Sequence, residues 1–197
     1  MDCAKVGRLI LQLRREKGLT QQNLADALNI SNKTVSKWEC GAGCPDVSLL
    51  SELSAVLGAD IEKILKGELK PNRPDIGRME RVKFYVCPSC GNILTSTGKA
   101  SVSCCGRKLE ALMPQLPDDR HEINIEAMDL DHYITFDHEM TKEHYISFAA
   151  YVNYDRVMLC RLYPEQSPEV RIPVMGRNGD LYLYCVQHGL KKYPRVL

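Results

Sequence analysis

The chain has 197 residues, enough for one large domain or two to three small ones. Apolar residues make up 44% and charged residues 26%, and no apolar run approaches the roughly 18 residues of a membrane span. The net charge of +1 is uneven, since residues 1–40 carry seven basic and four acidic side chains and residues 121–197 carry eight and eleven. Only the first part therefore attracts a polyanion. The N-terminus lacks a signal-peptide core, so we expect a cytoplasmic protein with no membrane partner.

Apolar residues recur at helical spacing from Lys5 to Gly67 and predict five helices. Thr20, Ser31 and Asp46 stand where N-caps are expected. We assign residues 1–69 to this all-α domain. Residues 70–82 are polar, contain two prolines and predict a linker.

The stretch "LTQQNLADALNISNKTVSKWECGAGCPD" resembles the helix-turn-helix domain of the Cro and xenobiotic-response-element repressor family. The resemblance implies a recognition helix from Asn32 to Trp38 in the major groove of double-stranded DNA. It also implies a buried Arg14–Glu39 pair, and it places Val35 and Trp38 in the core. The implied DNA-facing residues are Gln21, Asn32, Lys33, Thr34 and Lys37. The alternative is a repressor-like domain that serves as a dimerisation or protein-binding module.

Nine cysteines, an odd number, argue against a disulfide framework and for bound metal or free thiols. Cys40 and Cys44 occupy a loop that the repressor family usually fills with small polar or aliphatic residues. We interpret these two as incidental, with redox activity as the alternative. The sequence predicts no role for Cys3 or Cys160.

Residues 83–115 contain four of the cysteines in a short, glycine-punctuated segment. Cys87 and Cys90 form a CxxC turn, and Cys104 and Cys105 are adjacent. Four thiolates at this spacing fit a tetrahedral divalent metal, although neighbouring side chains diverge and distort the geometry. The pattern resembles desulforedoxin and the N-terminal domain of desulfoferrodoxin, which implies iron. A structural zinc site is the alternative.

Residues 116–197 contain six strand-like runs separated by Asn, Asp, Pro or Gly, and they predict an all-β sandwich of the immunoglobulin-like kind. This segment also carries all five histidines, with Cys185 and His188 in a CxxH pair and His138 and His144 around a turn. Imidazole and thiolate together suit iron, copper or zinc.

The motifs "DRHEI", "DHEMTKEHYI" and "CVQHG" resemble, in order, those of the superoxide reductase domain in the desulfoferrodoxin family. With the four cysteines, the resemblance covers about residues 83–192. It implies a ferrous ion that reduces superoxide to hydrogen peroxide, with a trans thiolate from Cys185. The implied equatorial ligands are His121, His138, His144 and His188. His132 has no counterpart in the family, and we interpret it as a surface residue or as one that contacts the ligands without binding the metal.

Three residues near these ligands depart from the family pattern, and we give them catalytic roles. Asp119 and Arg120 stand where the family has glutamate and lysine, and Glu139 replaces a proline. Arg120 keeps the charge that attracts superoxide but is a poor proton relay. The side chain of Asp119 is one methylene shorter than the family's glutamate, so it reaches less far toward the iron. Glu139 places a carboxylate near the anion-binding site, which slows the capture of superoxide.

The sequence therefore predicts a multidomain protein whose function is superoxide reduction in a chain that also binds DNA. The alternative is a redox- or superoxide-responsive transcriptional regulator that uses its iron centres as sensors. Zinc in both sites, with only the DNA-binding domain active, is a third hypothesis. The resemblance implies a rubredoxin-like electron donor. A homodimer joined through the small thiolate domain would supply the two-fold symmetry of a palindromic operator.

Overall fold

A computed structural model describes residues 2–174 and 179–196 of the chain. The chain divides into two compact units, Met1–Pro71 and Asn72–Leu197. The finer boundaries that the sequence predicts, at residues 69, 82 and 115, stay predictions. Among the residues described, no helix is long and apolar enough to cross a membrane.

The first unit is all-helical, and every helix contributes apolar residues to its single core. Its helices are α1 (Cys3–Glu16), α2 (Gln21–Ala27), α3 (Asn32–Glu39), α4 (Leu50–Leu57) and α5 (Ile61–Lys66), with a 3₁₀ turn at Val47–Leu49. The five predicted helices are thus confirmed. The predicted caps are also confirmed, because the side chains of Thr20, Ser31 and Asp46 each accept a backbone N–H of the following turn.

Helix α3 packs against α1 at a glycine. A Cβ atom built on Gly7 would lie 1.8 Å from the carbonyl oxygen of Trp38, so only glycine permits this approach. Val35 and Trp38 face the core with exposed fractions of 0% and 4%, as predicted. This packing fixes which face of α3 stays outside, and Lys33 and Lys37 are exposed there.

A disulfide joins Cys3, the first residue of α1, to Cys44 in the loop after α3. The expectation that the cysteines outside the metal motifs are free thiols is therefore wrong for this pair, and Cys44 is not incidental. Their Cα atoms lie 5.0 Å apart, within the range that a disulfide spans, although 41 residues separate them in sequence. Folding of the helices brings them together, which no local pattern reveals. Cys40 and Cys160 are free.

The described residues of the second unit form eleven strands. Two small hairpins come first, β1 (Lys83–Val86) with β2 (Ile93–Ser96) and β3 (Val102–Cys104) with β4 (Arg107–Leu109). A three-stranded and a four-stranded antiparallel sheet follow, in the orders β5-β6-β9 and β11-β10-β7-β8. Their strands are β5 (Ile123–Met128), β6 (Asp131–Phe136), β7 (Ile146–Val152), β8 (Val157–Arg161), β9 (Glu169–Pro173), β10 (Asp180–Cys185) and β11 (Gly189–Tyr193).

The two larger sheets enclose one apolar core, which confirms the predicted β-sandwich. Ile134 and Ile172 from one sheet pack with Tyr151 and Leu183 from the other. Strand β7 is buried along its whole length, because its second face packs on Phe84 of the first hairpin. Strand β7 is therefore packed on both faces. The segment that carries the predicted ligands His138 and His144 leads directly into this strand.

The six predicted strand-like runs correspond to β5 to β10. The run at residues 169–175 ends on Met175, which lies outside the described residues. Strand β11 and the four short strands around the cysteines were not predicted. In β11 the sequence "GLKKY" carries two lysines side by side, so it lacks the alternation of a half-buried strand, yet Lys191 is 5% exposed.

Candidate metal centres and nucleic-acid interface

The four cysteines of the thiolate motif converge on one point. The sulfur atoms of Cys87, Cys90, Cys104 and Cys105 all lie within 4.8 Å of one another. The sulfur of Cys104 is 3.6 Å from that of Cys90 and 4.0 Å from that of Cys105. Four sulfurs bound tetrahedrally at about 2.3 Å from one ion lie about 3.8 Å apart. The donor set therefore fits a tetrahedral metal.

Backbone turns explain how adjacent cysteines can face one centre. Cys105 has φ of 50°, and Gly106 follows with φ of 73°. This left-handed turn, costly for a residue with a side chain, brings the thiol of Cys105 back beside that of Cys104. Gly91 has φ of 66° after the CxxC turn, and its N–H donates to the carbonyl of Cys87 at 2.8 Å. The expected divergence of neighbouring side chains is thus overcome by the backbone.

The protein environment favours a thiolate at Cys87. Burial acts to raise the pKa of Cys87, but the N–H groups of Ser89 and Cys90 outweigh it and lower the pKa to about 6. The neighbouring thiols, that of Cys90 first, raise the pKa of Cys105 to about 12. Four thiols crowded together cannot all ionise without a cation between them.

A second constellation lies at one end of the sandwich, where four imidazoles form a closed ring. Their ring centroids are 5.2 Å apart for His121–His138, 4.5 Å for His138–His144, 4.8 Å for His144–His188 and 5.0 Å for His188–His121. Cys185 lies beside the ring, with its sulfur 3.4 Å from Nδ1 of His188. The donor atoms of four predicted ligands, His121, His138, Cys185 and His188, lie within 4.8 Å of one another. The fifth, His144, joins them through its ring contacts with His138 and His188.

The ring members come from strand ends that the sandwich brings together. His138 follows β6, and His144 precedes β7. Cys185 ends β10, and His188 lies in the turn to β11, where its N–H donates to the Cys185 sulfur at 3.4 Å. His121 precedes β5 and is 0% exposed. Burial raises the pKa of the Cys185 thiol.

The inward-facing atoms of this ring fit a metal ion. Nε2 of His121 and Nε2 of His138 are buried and have no hydrogen-bond partner, which is costly unless they bind something. Nε2 of His144 is 3.3 Å from Nδ1 of His188, and two nitrogens bound at right angles to one ion lie about 3 Å apart. Burial lowers the pKa of His138 to about 4, so its imidazole is neutral at pH 7, the state that binds metal.

The three predicted catalytic residues differ in how they relate to the ring. Glu139 has a carboxylate oxygen 3.3 Å from Nδ1 of His144, and its side chain is 72% exposed. Arg120 is exposed, and its charge contributes, after burial and the neighbouring histidines, to a lowered pKa of His188. Asp119 is exposed. His132 lies within β6, paired with Ala127 and Ile172, and is not a member of the ring.

Sequence reasoning missed Asp118, which contacts the ring member His121, and Lys191, which pairs with Asp118. Asp118 accepts a hydrogen bond from Nδ1 of His121 at 2.5 Å and another from Lys191 at 2.9 Å. Lys191, first, and His121 hold the pKa of Asp118 well below its usual range. Lys191 lies on the unpredicted strand β11. Two lysines in a row gave no signal of burial, and the sequence predicted no role for Asp118.

The predicted DNA-facing residues lie on α2 and α3. Lys33 and Lys37 are exposed on α3, and Asn32 opens that helix. The hydroxyl of Thr34 lies 2.8 Å from that of the cap residue Ser31. The amide of Gln21 donates to Glu39 at 2.8 Å.

The predicted Arg14–Glu39 pair is present. Nε of Arg14 donates to one carboxylate oxygen of Glu39 at 2.5 Å, and Nη2 donates to the other at 2.9 Å. This bidentate pair ties α1 to the end of α3.

Comparison with known proteins gives a domain match for the first unit and a fold for the second. The family model described as "Helix-turn-helix" matches residues 10–64, so the first unit is a helix-turn-helix domain. The fold of the second unit is that of a superoxide reductase. The crystal structure of the superoxide reductase from Treponema pallidum superimposes with a TM-score of 0.50 and 20% identity, over 60% of this chain and 99% of that one.

Two curated relatives are similar to the helix-turn-helix part. The "HTH-type transcriptional activator BcrR" of Enterococcus faecalis is 42% identical over 57 residues, 29% of this chain and 28% of that protein. An uncharacterised prophage-derived transcriptional regulator of Bacillus subtilis, YonR, is 38% identical over 61 residues, 31% of this chain and 56% of that one. The matched region thus spans well under two thirds of either relative. The chain joins a helix-turn-helix domain to a superoxide-reductase fold.

Proposed function

We propose that this protein reduces superoxide to hydrogen peroxide at a non-haem iron, and that the same chain binds double-stranded DNA. The closed ring of four imidazoles beside a buried thiol supports this function best. Two of its inward nitrogens are buried without partners. His121, His138, His144 and His188 with Cys185 would hold the iron, and the four cysteines would hold a second metal, iron or zinc.

The reaction consumes one superoxide, one electron and two protons for each hydrogen peroxide formed. A ferrous ion at the ring would supply the electron, and a rubredoxin-like donor would restore it. Arg120 attracts the anion, and water ordered near it delivers protons, since a guanidinium is a poor relay. Neutral imidazoles leave the positive charge of the ion uncompensated, which favours binding of an anion.

The thiol of Cys185 is prepared for metal binding by its surroundings. Burial keeps water away from the sulfur, and the N–H of His188 donates to it. Such contacts to a ligand sulfur tune the electron density that a thiolate gives to a metal. Cys185 would thereby favour release of the reduced product over cleavage of its oxygen–oxygen bond.

DNA binding would use the exposed face of α3. Lys33 and Lys37 supply positive charge there, and Asn32 at the helix start is suited to reading adenine. A second candidate function follows, namely a transcriptional regulator whose iron centres sense superoxide or oxidation state. Similarity of residues 10–64 to transcription regulators favours this candidate.

Metal analysis and visible spectra of the isolated protein test the proposal. We expect iron at the ring, with a thiolate-to-iron band that grows when the protein is oxidised. A colourless protein that holds only zinc would contradict the enzymatic function. DNA affinity that changes with oxidation state would favour the regulator.

A further inference from the structure

His121 lies in the loop before β5, so no strand ladder fixes it. Its position instead depends on Asp118 and Tyr193. The N–H of His121 donates to the carbonyl of Asp118 at 2.9 Å, and its Nδ1 is 2.5 Å from the Asp118 carboxylate. The hydroxyl of Tyr193 donates to the carbonyl of His121.

Asp118 is in turn held by a buried cation. Lys191 on β11 is 5% exposed, and its ammonium donates to Asp118 at 2.9 Å and to Gln115 at 3.2 Å. The backbone of Gln115 pairs with β11 as well, through Leu190 and Lys192 at 2.8 Å each. The segment from Gln115 to His121 is therefore fastened to β11 by both backbone and side chains.

The other ring members have weaker supports. Nδ1 of His138 contacts the backbone carbonyl of Glu139, and Nδ1 of His144 lies 3.3 Å from a carboxylate that is 72% exposed. His121 alone among the described ring residues has a carboxylate that is itself paired with a buried ammonium. Burying a lysine costs free energy unless it is paired, so its presence here calls for a role.

We propose that Asp118 and Lys191 are positioning residues for the metal ligand His121. Asp118 accepts the proton of Nδ1, which leaves Nε2 as the free ligand atom, and Lys191 fixes the carboxylate on β11. A carboxylate behind a metal-bound imidazole also makes it more basic and favours the higher oxidation state of the metal. The assignment rests on the proposed function in naming iron, but the orientation of His121 would serve any divalent metal.

Metal affinity of the full chain tests the proposal. Zn²⁺ and Fe²⁺ binding at the ring is measured by competition with a chelator, and metal at the four cysteines serves as an internal reference. We expect Asp118→Leu to lower the affinity of the ring for both metals by about 10- to 100-fold, because loss of a residue that hydrogen-bonds a metal ligand typically has an effect of this size. Asp129→Asn, in the turn just after β5, is the control that removes a carboxylate without touching His121.

Asp118→Leu leaves Lys191 buried without its carboxylate and could unfold the loop, so a second variant is needed. The double variant Asp118→Leu/Lys191→Met removes both charges, and such replacements are often neutral for stability. It should melt like the native chain and still bind metal about 10- to 100-fold more weakly. Native-like affinity in this variant would overturn the proposal.

Asp118→Asn distinguishes orientation from mere structural support. Its amide oxygen still accepts from Nδ1, so affinity should largely recover, while the loss of negative charge raises the midpoint potential of the iron. An unchanged potential together with affinity as low as that of Asp118→Leu would contradict the positioning role. If the native ring binds Zn²⁺ but no Fe²⁺, the proposed function fails, and the zinc affinities still decide the role of Asp118.

Discussion

At the scale of single residues, two side chains of opposite charge flank the imidazole ring. The carboxylate of Glu139 lies 3.3 Å from Nδ1 of His144, whereas Nε2 of the same imidazole faces His188. Glu139 therefore lies behind a ring member and outside the ring itself. Arg120 is exposed, and its charge is felt at His188. An approaching anion experiences both charges, so each should change the rate of capture in its own direction.

Glu139→Gln should speed the reaction with superoxide. The amide keeps a hydrogen-bond acceptor for His144 and removes only the negative charge. We expect the second-order rate constant to rise about two- to fivefold at low ionic strength, and the gain to shrink at 1 M salt, where charges are screened within about 3 Å. Stopped-flow mixing measures it, with Glu126→Gln on β5 as a charge-matched control. A slower variant would mean that the carboxylate assists the reaction.

Arg120→Ala should have the opposite effect. Loss of the guanidinium removes the attraction for superoxide, so the rate constant should fall about three- to tenfold at low salt and recover in Arg120→Lys. The same stopped-flow measurement applies to both variants. An unchanged rate constant in Arg120→Ala would show that Arg120 does not attract superoxide to the site.

At the scale of elements, helix α3 and the disulfide between α1 and the loop after α3 offer separate tests. Helix α3 was predicted from the helix-turn-helix resemblance and its Ser31 cap, and both the helix and the cap are present. The link from Cys3 at the start of α1 to Cys44 was not predicted, because it depends on tertiary packing across 41 residues. Strand β11 was missed for a related reason. Its Lys191 is buried against Asp118, a partner 73 positions away, and sequence pattern assigns lysine to the surface.

Lys37→Ala should weaken DNA binding without changing which sequence is preferred. Lys37 is exposed in the last turn of α3, where a cation meets phosphate. We expect the slope of log affinity against log salt to fall in magnitude by about 1. Fluorescence anisotropy with a duplex selected from a random pool measures this slope. Lys5→Ala on α1 removes equal charge and should leave the slope as it is.

Loss of the Cys3–Cys44 disulfide should destabilise the helical unit. Closing a loop of this length accounts for up to about 4 kcal/mol through the entropy of the unfolded chain. Cys3→Ser should lower the free energy of unfolding by that order, and reductant should do the same to the native chain. The single tryptophan, Trp38, is buried in this unit and reports its unfolding by fluorescence. Equal stability of Cys3→Ser and the native chain would show that the link contributes nothing, and Cys40→Ser is the matched control.

At the scale of the whole molecule, the chain combines two compact units with different chemistry. Sequence motifs were enough to predict the helix-turn-helix domain and the sandwich. They also singled out the nine cysteines and histidines that the structure gathers into two clusters. Residues of ligand type at a fixed local spacing can be recognised without knowledge of the fold. The supports behind the ligands were not predicted. Lys191 contacts Asp118 from 73 positions away, and Tyr193 contacts His121 from 72 positions away, and local spacing does not encode such contacts.

The stoichiometry of the products tests superoxide reduction most directly. The iron-loaded full chain, supplied with a reduced electron donor, is exposed to a known flux of superoxide, and hydrogen peroxide and oxygen are both measured. Superoxide reduction predicts one hydrogen peroxide for each superoxide consumed and no oxygen, and His188→Ala should abolish the excess over the uncatalysed reaction. A yield of one hydrogen peroxide and one oxygen for every two superoxides, or no acceleration at all, would contradict the account.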